Sequence, residues 1–536
     1  MKKFLCLALA LMLIVSCFAA CGGSGDDDKS TDTSSVSSGS DASTGDTSTS
    51  EGENEDYISM FKNIDVSAAY GLDGYDLNKR EFYIMQRWFG YGKPTIDFQG
   101  EVIWNEPENG QLNSINTAKK RVLDEVQALL NCTVTGEISS LTAGDIRDLV
   151  STDVLTELGE FDFCFESPYY YTTWVQDKML VDLKDLGIQF DQPWWDQNAV
   201  KDLSIMDSLY FALGDINTYD NDGTFVLLIN KTLYNNIKDK DYTELFKMAK
   251  DRTWTFDALK EEVKGVYSDI GGEPGVDEFD QFGLLTETAN LYTHALAAGE
   301  KIATKDAEDV PQLSLQTTRT YESLIGAVEL YQTQDVLVAN TEPYLTKYPE
   351  GDEVYEKTVT NTFEQGRGLF YLSGLIHLPY FRNMDDEIGV LPVPMFDEAQ
   401  GEYTHQMSVH TASAVFVPVG PNSEGENGKQ IGLLLDALGA YSKQYLTPEY
   451  YNKQLQQRDF QDPDSAAMLD IIFETRAFDL GAFFGSSWNN AFDLYCVMDT
   501  NVESRFSAQV DMIQAKMEIT LDAIRAKLPV LEAPGA

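Results

Sequence analysis

The side chains best suited to bind a small molecule are carboxylates, amides and aromatic rings near the ends of predicted strands. They are Trp88, Glu166, Ser167, Tyr169, Tyr170, Asp215, Asn217 and His410, with Trp488 and Asn489 in the segment "FFGSSWNNAF" (483–492). Ligands of open α/β sheets bind beyond the carboxyl ends of strands, a rule that selects the first seven of these residues. Sugar rings need a flat aromatic surface for their C–H face and planar polar groups for their hydroxyls, so this set favours noncovalent binding of a sugar.

Each of these side chains also has a purely structural interpretation. Trp88 and Trp488 could belong to the core, and Glu166 or Asp215 could cap a helix. His410 could be a core histidine, but it precedes a predicted strand and is therefore included. Both interpretations stay open at this point.

Motifs for catalysis or metal binding are absent from the sequence. It contains no G-x-S-x-G, H-E-x-x-H, G-x-x-x-x-G-K-[ST] or G-x-G-x-x-G pattern. The stretch "TYDNDG" (218–223) resembles the start of a calcium loop, but Thr218 and Ile229 stand where that loop needs Asp and Glu. We therefore predict no catalytic residue, no metal and no cofactor. An anchored glycoside hydrolase that uses a carboxylate pair remains the alternative from another class, and a surface adhesin with a shallow ligand patch is a third.

The elements that must position these residues alternate between strand and helix. Predicted strands are "EFYIMQRW" (81–88), "CTVTGEI" (132–138), "EFDFCFE" (160–166), "LYFAL" (209–213), "TFVLLIN" (224–230) and "ASAVFVPVG" (412–420). Helical spacing of apolar residues marks segments near 113–130, 141–155, 253–266, 431–445 and 513–528. Two prolines confine 386–403 to an edge strand or an extended crossover. This alternation predicts an α/β fold with a largely parallel sheet and a helical C-terminal part.

The N-terminus has the features of an export signal. Lys2 and Lys3 precede an apolar run from Phe4 to Phe18, which is too short to span a bilayer. The sequence Phe18-Ala19-Ala20-Cys21 resembles the bacterial lipobox, so residues 1–20 are interpreted as a lipoprotein signal peptide and Cys21 as the lipidated residue. The following Ser-, Thr-, Gly- and Asp-rich stretch, 21–56, predicts a disordered tether.

Size and charge narrow the function classes. About 480 residues follow the tether, enough for two large lobes. The chain carries 87 acidic and 39 basic residues and a net charge of −48, which disfavours nucleic acid as a partner. Cys132, Cys164 and Cys496 are spaced too widely for a zinc pattern or a disulfide framework, so we expect buried free thiols.

Several colinear stretches resemble the extracellular solute-binding proteins of ATP-driven importers, the family that includes maltose-binding protein. They are "EFDFCFESPYYYTTWVQDKMLVDLKDL", "DSLYFALGDIN", "RTWTFDALKEEVKGV", "FEQGRGLFYLSGL" and "IGVLPVPMFDEAQGEY". Together they span most of residues 80–450. Gly214, where proline is common, and the pair Gly368-Leu369 depart from the family pattern.

The resemblance implies two α/β lobes of the type II periplasmic-binding-protein kind, joined by hinge crossovers that close on a solute. By position, the N-lobe would take 57–218 and 389–425, and the C-lobe 219–388 and 426–536. Trp488 and Asn489 would lie where family members often place a stacking residue. The function implied is that of a monomeric, non-enzymatic importer subunit on the outer face of the cell membrane. It would be held there by its lipid anchor alone and would partner ABC permease subunits and a small solute. Sugars or oligosaccharides are favoured, with peptides and other polar organics as alternatives.

Overall fold

The computed structural model describes residues 64–87, 100–104, 112–139, 143–272, 274–451 and 463–526, all of which belong to one compact unit, Asn54–Ala536. The predicted signal peptide and tether, Cys21 and Trp88 lie outside the described residues. Within these ranges no helix combines the length and apolarity needed to cross a membrane.

Strands are numbered in chain order. They are β1 (Arg80–Arg87), β2 (Cys132–Ser139), β3 (Phe163–Glu166), β4 (Phe225–Asn230), β5 (Phe282–Thr286), β6 (Ala303–Lys305), β7 (Pro311–Leu313), β8 (Val336–Val338), β9 (Gly368–Gly374), β10 (Ile388–Leu391), β11 (His405–Gln406), β12 (Ala414–Phe416) and β13 (Arg476–Ala477).

Helices surround these strands. The longer ones are Ser114–Leu130, Ala143–Thr156, Gln197–Leu203, Lys231–Ile237, Thr243–Lys250, Phe256–Val263, Asn290–Ala297, Thr318–Tyr331, Gly425–Pro448, Pro463–Glu474, Val502–Ser507 and Val510–Arg525. Short turns of helix include Val66–Ala69, Pro168–Tyr171, Thr173–Gln176, Leu183–Leu186, Tyr219–Asp222, Tyr344–Lys347, Glu353–Tyr355, Asn361–Glu364, Leu378–Phe381 and Leu480–Phe483.

The first lobe is built on the sheet β12-β3-β1-β2. Strand β1 pairs in parallel with β2 and β3, and β12 joins β3 in the antiparallel sense. Because parallel strands end at the same edge, Arg87 and Glu166 emerge side by side at the carboxyl edge. The mixed, mostly parallel α/β sheet predicted from the sequence is confirmed.

Local signals explain the helix that follows β1 in the chain, Ser114–Leu130. The side chain of Asn113 accepts a hydrogen bond from the backbone N–H of Asn116 at 2.7 Å, as the predicted cap would. The helix ends where Asn131 adopts a left-handed conformation, at φ 49°. Its buried face recurs at helical spacing, from Ile115 to Val122 and Val126, and seals one face of the first sheet.

The second lobe is built on the sheet β10-β4-β9-β5-β8. Strand β5 is parallel to β8 and β9, whereas β4 is antiparallel to β9 and β10. Nearly every residue of β4, β5 and β9 is buried, which accounts for their continuous apolar sequence. Strand β10 takes the edge position that its flanking prolines predicted.

Two expectations about the elements were wrong. The run "LYFAL" (209–213) forms no strand; its backbone pairs with β12 only at the bridge from Ala212 to Val415. The chain turns there because Gly214 crosses the backbone of Trp194 so closely that an added Cβ would lie 2.2 Å from the carbonyl oxygen. The second correction concerns Gly425–Pro448, which was expected with the second lobe.

That helix packs along Ser114–Leu130 on the first lobe instead. The same helix also packs closely on the turn Leu183–Leu186, where Gly432 is needed because an added Cβ would lie 2.3 Å from the carbonyl oxygen of Leu186. The guanidinium of Arg121 lies 3.6 Å from the ring centre of Tyr445. Residue spacing revealed the apolar face of this helix but carried no information on which lobe would cover it.

Candidate functional site

One wall of the candidate site forms at the carboxyl edge of the first sheet. Glu166, the last residue of β3, is fully buried, and its Oε2 accepts a hydrogen bond from the backbone N–H of Ser167 at 2.7 Å. The same oxygen lies 3.7 Å from Nη1 of Arg87, at the end of the neighbouring strand β1. The Ser167 hydroxyl donates to the carbonyl of Val409 at 2.6 Å. These bonds fix the turn that presents the next residues.

An aromatic cluster of Tyr169, Tyr170, His410 and Phe492 covers this wall. The ring of Tyr169 lies 4.3 Å from that of His410 and 5.3 Å from that of Tyr170, centroid to centroid. Phe492 lies 5.5 Å from His410. Tyr170 is the most open member, with 36% of its surface exposed, and the guanidinium of Arg87 lies 5.9 Å from its ring centre. The cluster offers the flat surface that a sugar ring or a cation would need.

His410 is neutral at physiological pH. Burial, assisted by the positive charge of Arg87, lowers the pKa of this histidine to about 4. Its Nδ1 atom is buried and has no hydrogen-bond partner among the described residues. A neutral imidazole nitrogen can accept a hydrogen bond, so this atom is suited to a ligand donor.

The second lobe contributes an opposing set of polar groups. Glu287 follows β5, and the hydroxyl of Tyr355 is hydrogen-bonded both to its carboxyl group and to the side chain of Asn340. Asn340 in turn accepts from the backbone N–H of Thr288 at 2.8 Å. Burial, assisted by the negative charge of Asp352 and opposed by the hydrogen bond from Tyr355, raises the pKa of Glu287 to about 7.

These two sets of side chains lie near one another, and we treat them as the two walls of a candidate cleft. Burial raises the pKa of Tyr170 in the first lobe, and the negative charge of Asp352 in the second lobe adds to that increase. The pKa of Tyr169 is raised chiefly by burial, and the negative charge of Asp493, the residue after Phe492, raises it as well. Phe492 also lies 5.0 Å from Tyr292, in the helix after β5, so the C-terminal segment links the two walls.

The structure brings five of the predicted residues together in this cleft. They are Glu166, Ser167, Tyr169, Tyr170 and His410, and only Tyr170 among them is exposed. Glu166 contributes through Arg87 rather than from an open position. Trp88 follows Arg87 in the chain but lies outside the described residues.

Two predicted residues in the first crossover serve the protein's own structure. Asn217 is 1% exposed; its Oδ1 accepts from the backbone N–H of Gly214 at 3.2 Å, and its Nδ2 donates to the carbonyl of Ser413 at 2.5 Å. Asp215 pairs with Lys443 at 3.1 Å and accepts from Thr447 at 2.5 Å. Both residues therefore tie the crossover to neighbouring segments, and their contact with a ligand stays a prediction.

Trp488 and Asn489 also make contacts within the protein, and their role in ligand binding stays a prediction. Trp488 is fully buried, stacks on Phe484 at 5.1 Å, and donates from Nε1 to the hydroxyl of Thr520 at 3.0 Å. Asn489 has a left-handed backbone, at φ 57°, and its amide lies 3.4 Å from Gln509. Both residues pack against the C-terminal helices, because the chain turns sharply at 489–490 and brings Phe492 to the cleft in their place.

The crossovers between the lobes are held by buried ionic groups. The Arg476 guanidinium bonds Asp196 at 2.7 Å and Asn221 at 3.0 Å, and it lies 3.4 Å from Asp220. The backbone N–H of Ser408 donates to Gly223 at 2.8 Å, which joins the two crossovers directly. These contacts tie the crossover segments to one another.

Sequence reasoning missed the second wall. Glu287 could have been found, because it directly follows the strand-like run "FGLLT" and obeys the same strand-end rule that selected Glu166. Asp352, Tyr355 and Asp493 carry no comparable local signal. No group of three or more His, Cys, Asp or Glu side chains suited to a metal ion occurs in the described ranges.

Comparison with known proteins gave matches in structure only. No protein-family model and no curated protein sequence matches the chain. Solved structures of similar fold include a cyclo/maltodextrin-binding protein complexed with maltotetraose (11% identity, TM-score 0.48, covering 85% of this chain and 99% of that one). Another is an ABC substrate-binding protein from Listeria monocytogenes in complex with cycloalternan (12% identity, TM-score 0.46, covering 82% of this chain and 100% of that one). A third is UgpB from Mycobacterium tuberculosis in complex with glycerophosphocholine (12% identity, TM-score 0.49, covering 83% of this chain and 99% of that one).

Proposed function

We propose that this chain is the substrate-binding subunit of an ABC importer, anchored to the outer face of the cell membrane through a lipid on Cys21. It captures an extracellular solute, preferentially a sugar or oligosaccharide, between its two lobes and presents it to the permease subunits. Peptides and other polar organics are the alternative cargo.

The observation that carries this proposal is the composition of the two cleft walls. Exposed and half-buried aromatic rings on one wall oppose a carboxyl, an amide and a tyrosine hydroxyl on the other, which is the combination that a polyhydroxylated ring requires. The walls belong to different lobes, so a bound solute contacts both walls only when the lobes are closed. The solute therefore stabilises the closed conformation by the difference between its affinities for the closed and open conformations.

A thermal-shift screen of the purified full-length protein tests the proposal. Monosaccharides, oligosaccharides, peptides and polyols are compared, and bound material is recovered and identified. A ligand at a hundred times its dissociation constant adds about 2.7 kcal/mol to the free energy of unfolding, a readily visible shift in Tm. A shift by one sugar class with intact sugar recovered supports the proposal, whereas a shift by peptides alone overturns the choice of cargo.

One observation favours a glycoside hydrolase as a second candidate. Glu287 has a pKa raised to about 7, as a general acid requires, and Glu166 on the opposite wall supplies a second carboxyl group, although it is buried beside Arg87. Turnover of a chromogenic glycoside that is lost in Glu166→Gln and in Glu287→Gln would establish this candidate. Intact sugar recovered after prolonged incubation would exclude it.

A further inference from the structure

The cleft carries negative charge that no protein cation neutralises. Asp352 and Asp493 border it and carry this charge, whereas Glu287 beside them has a pKa raised to about 7 and is partly protonated near neutral pH; among the described residues no Lys or Arg forms an ion pair with any of the three. The titratable groups that interact electrostatically with Glu287 are Asp352, Tyr331, Tyr355, Tyr371 and Cys496. None of them is a cation.

The positive charge on the opposite wall is already engaged. Arg87 lies 3.7 Å from the fully buried carboxylate of Glu166. His410 is neutral because burial and Arg87 hold its pKa low. Asp352 and Asp493 are exposed to solvent, so a ligand can reach them. The space between the walls therefore retains a surplus of negative charge.

Two independent features of the aromatic wall suit a cation. Tyr170, with 36% of its surface exposed, is the open ring beside the buried rings of Tyr169 and Phe492, and aromatic ring faces attract a positive charge placed over them. The buried Nδ1 of His410 lies among these rings and has no partner in the described part of the chain. A protonated amine supplies both the missing positive charge and an N–H donor for this nitrogen.

We propose that the solute captured in this cleft carries a protonated amino group, which is held between the aromatic cluster and the carboxylates of Asp352 and Asp493. This inference rests on the proposed solute-binding function and names the charge class of its cargo. A basic amino sugar satisfies both the hydroxyl-binding groups and the surplus of negative charge.

Calorimetric titration of the full-length protein with matched probes tests the inference. Glucosamine is compared with glucose and with N-acetylglucosamine, in which the amine is neutral, and choline serves as a cation that is not a sugar. We expect glucosamine to bind at least about tenfold more tightly than either neutral sugar. We also expect this preference to shrink as salt is added, because partly exposed charges are screened.

Variants separate charge in the cleft from charge in general. Asp352→Asn and Asp493→Asn should each reduce the preference for glucosamine over glucose, with little effect on glucose itself. Asp73→Asn is the matched control: it removes the same charge from an exposed residue beyond the amino end of β1, opposite the edge that forms the cleft. This control should leave the preference unchanged.

The outcomes test the cationic nature of the cargo separately from the proposed solute-binding function. Equal or tighter binding of glucose and N-acetylglucosamine overturns the inference and leaves solute binding intact. Binding of choline but of no sugar supports the cationic class and overturns the carbohydrate assignment. If neither glucosamine nor choline binds at millimolar concentration, the inference is wrong, and the wider ligand screen then decides the proposed function separately.

Discussion

The rings of Tyr169 and His410 lie 4.3 Å apart and, with Tyr170 beside them, form one aromatic surface at the carboxyl edge of the first sheet. Tyr170 is the exposed end of this surface. We expect Tyr170→Ala to weaken solute binding about tenfold, because the stacking contribution of one aromatic ring is on the order of 1 kcal/mol. Titration of the ligand found in the screen measures this change.

Tyr75→Ala provides the control for that substitution. Tyr75 is 51% exposed and lies before the amino end of β1, away from the cleft. The same truncation there should leave the dissociation constant unaltered. If Tyr170→Ala and Tyr75→Ala bind equally well, the aromatic cluster does not contact the solute.

Arg476 is predicted to be a principal stabiliser of the crossovers. It is the cation shared by Asp196 and Asp220, and burial raises the pKa of Asp220 even in its presence. Arg476→Met would leave both carboxylates buried without a counter-charge, at a cost of about 3–5 kcal/mol in the free energy of unfolding. Urea denaturation measures the loss.

The control for this position is Arg525→Met. Arg525 pairs with Glu518 and Asp522 on an exposed helix surface, so its removal should cost less than about 1 kcal/mol. Adding Asp196→Asn and Asp220→Asn to Arg476→Met should restore part of the lost stability. A loss at Arg476 no larger than that at Arg525 would contradict the proposed counter-charge.

Trp488 should affect stability and not ligand selection. Its indole is fully buried between Phe484 and the C-terminal helix, and its Nε1 donates to Thr520. We expect Trp488→Ala to lower the free energy of unfolding by about 3–5 kcal/mol, and Trp488→Phe to lower it by less, because less volume is lost. Both variants, measured while folded, should bind the solute with unchanged affinity. A large loss of affinity in Trp488→Phe would return this residue to the site.

The sequence predicted the parts of this fold that depend on short stretches. The helices beginning at Ser114 and Phe256 fall in segments predicted as helical and are capped by Asn113 and Thr255, and β1, β2 and β4 lie within one or two residues of their predicted bounds. The strand-end rule also placed Tyr169 and Tyr170 beside the carboxyl edge of β3, because it acts on neighbours in sequence; their contact with a solute stays a prediction.

Contacts between distant segments were not predictable in this way. Nothing in the spacing of apolar residues shows that Gly425–Pro448 packs on the first lobe, or that Asp352 approaches Tyr170 across the cleft. Asn217 and Trp488 have residue types that suit a sugar site, yet the fold uses their hydrogen-bonding groups internally. A single residue's chemistry does not distinguish these two uses, because both require the same donors and acceptors.

Glu287 should make the free energy of unfolding decrease as the pH rises, whereas most carboxyl groups in proteins have the opposite effect. Its pKa in the folded protein is raised by burial from 4.5 to about 7, so folding favours the protonated form. The stabilisation by this group is complete below about pH 4.5 and is lost as the pH rises through 7.

Glu287→Gln keeps an acceptor for the hydroxyl of Tyr355 but cannot ionise. We therefore expect its Tm relative to the native protein to increase with pH, reaching a gain of up to about 3 kcal/mol in the free energy of unfolding above pH 7. Thermal melts of both proteins across this range measure the difference, with Asp73→Asn as an exposed control expected within about 0.5 kcal/mol of the native protein. Parallel pH profiles for Glu287→Gln and the native protein would show that the pKa of Glu287 is the same in the folded and unfolded states, which would contradict its raised pKa.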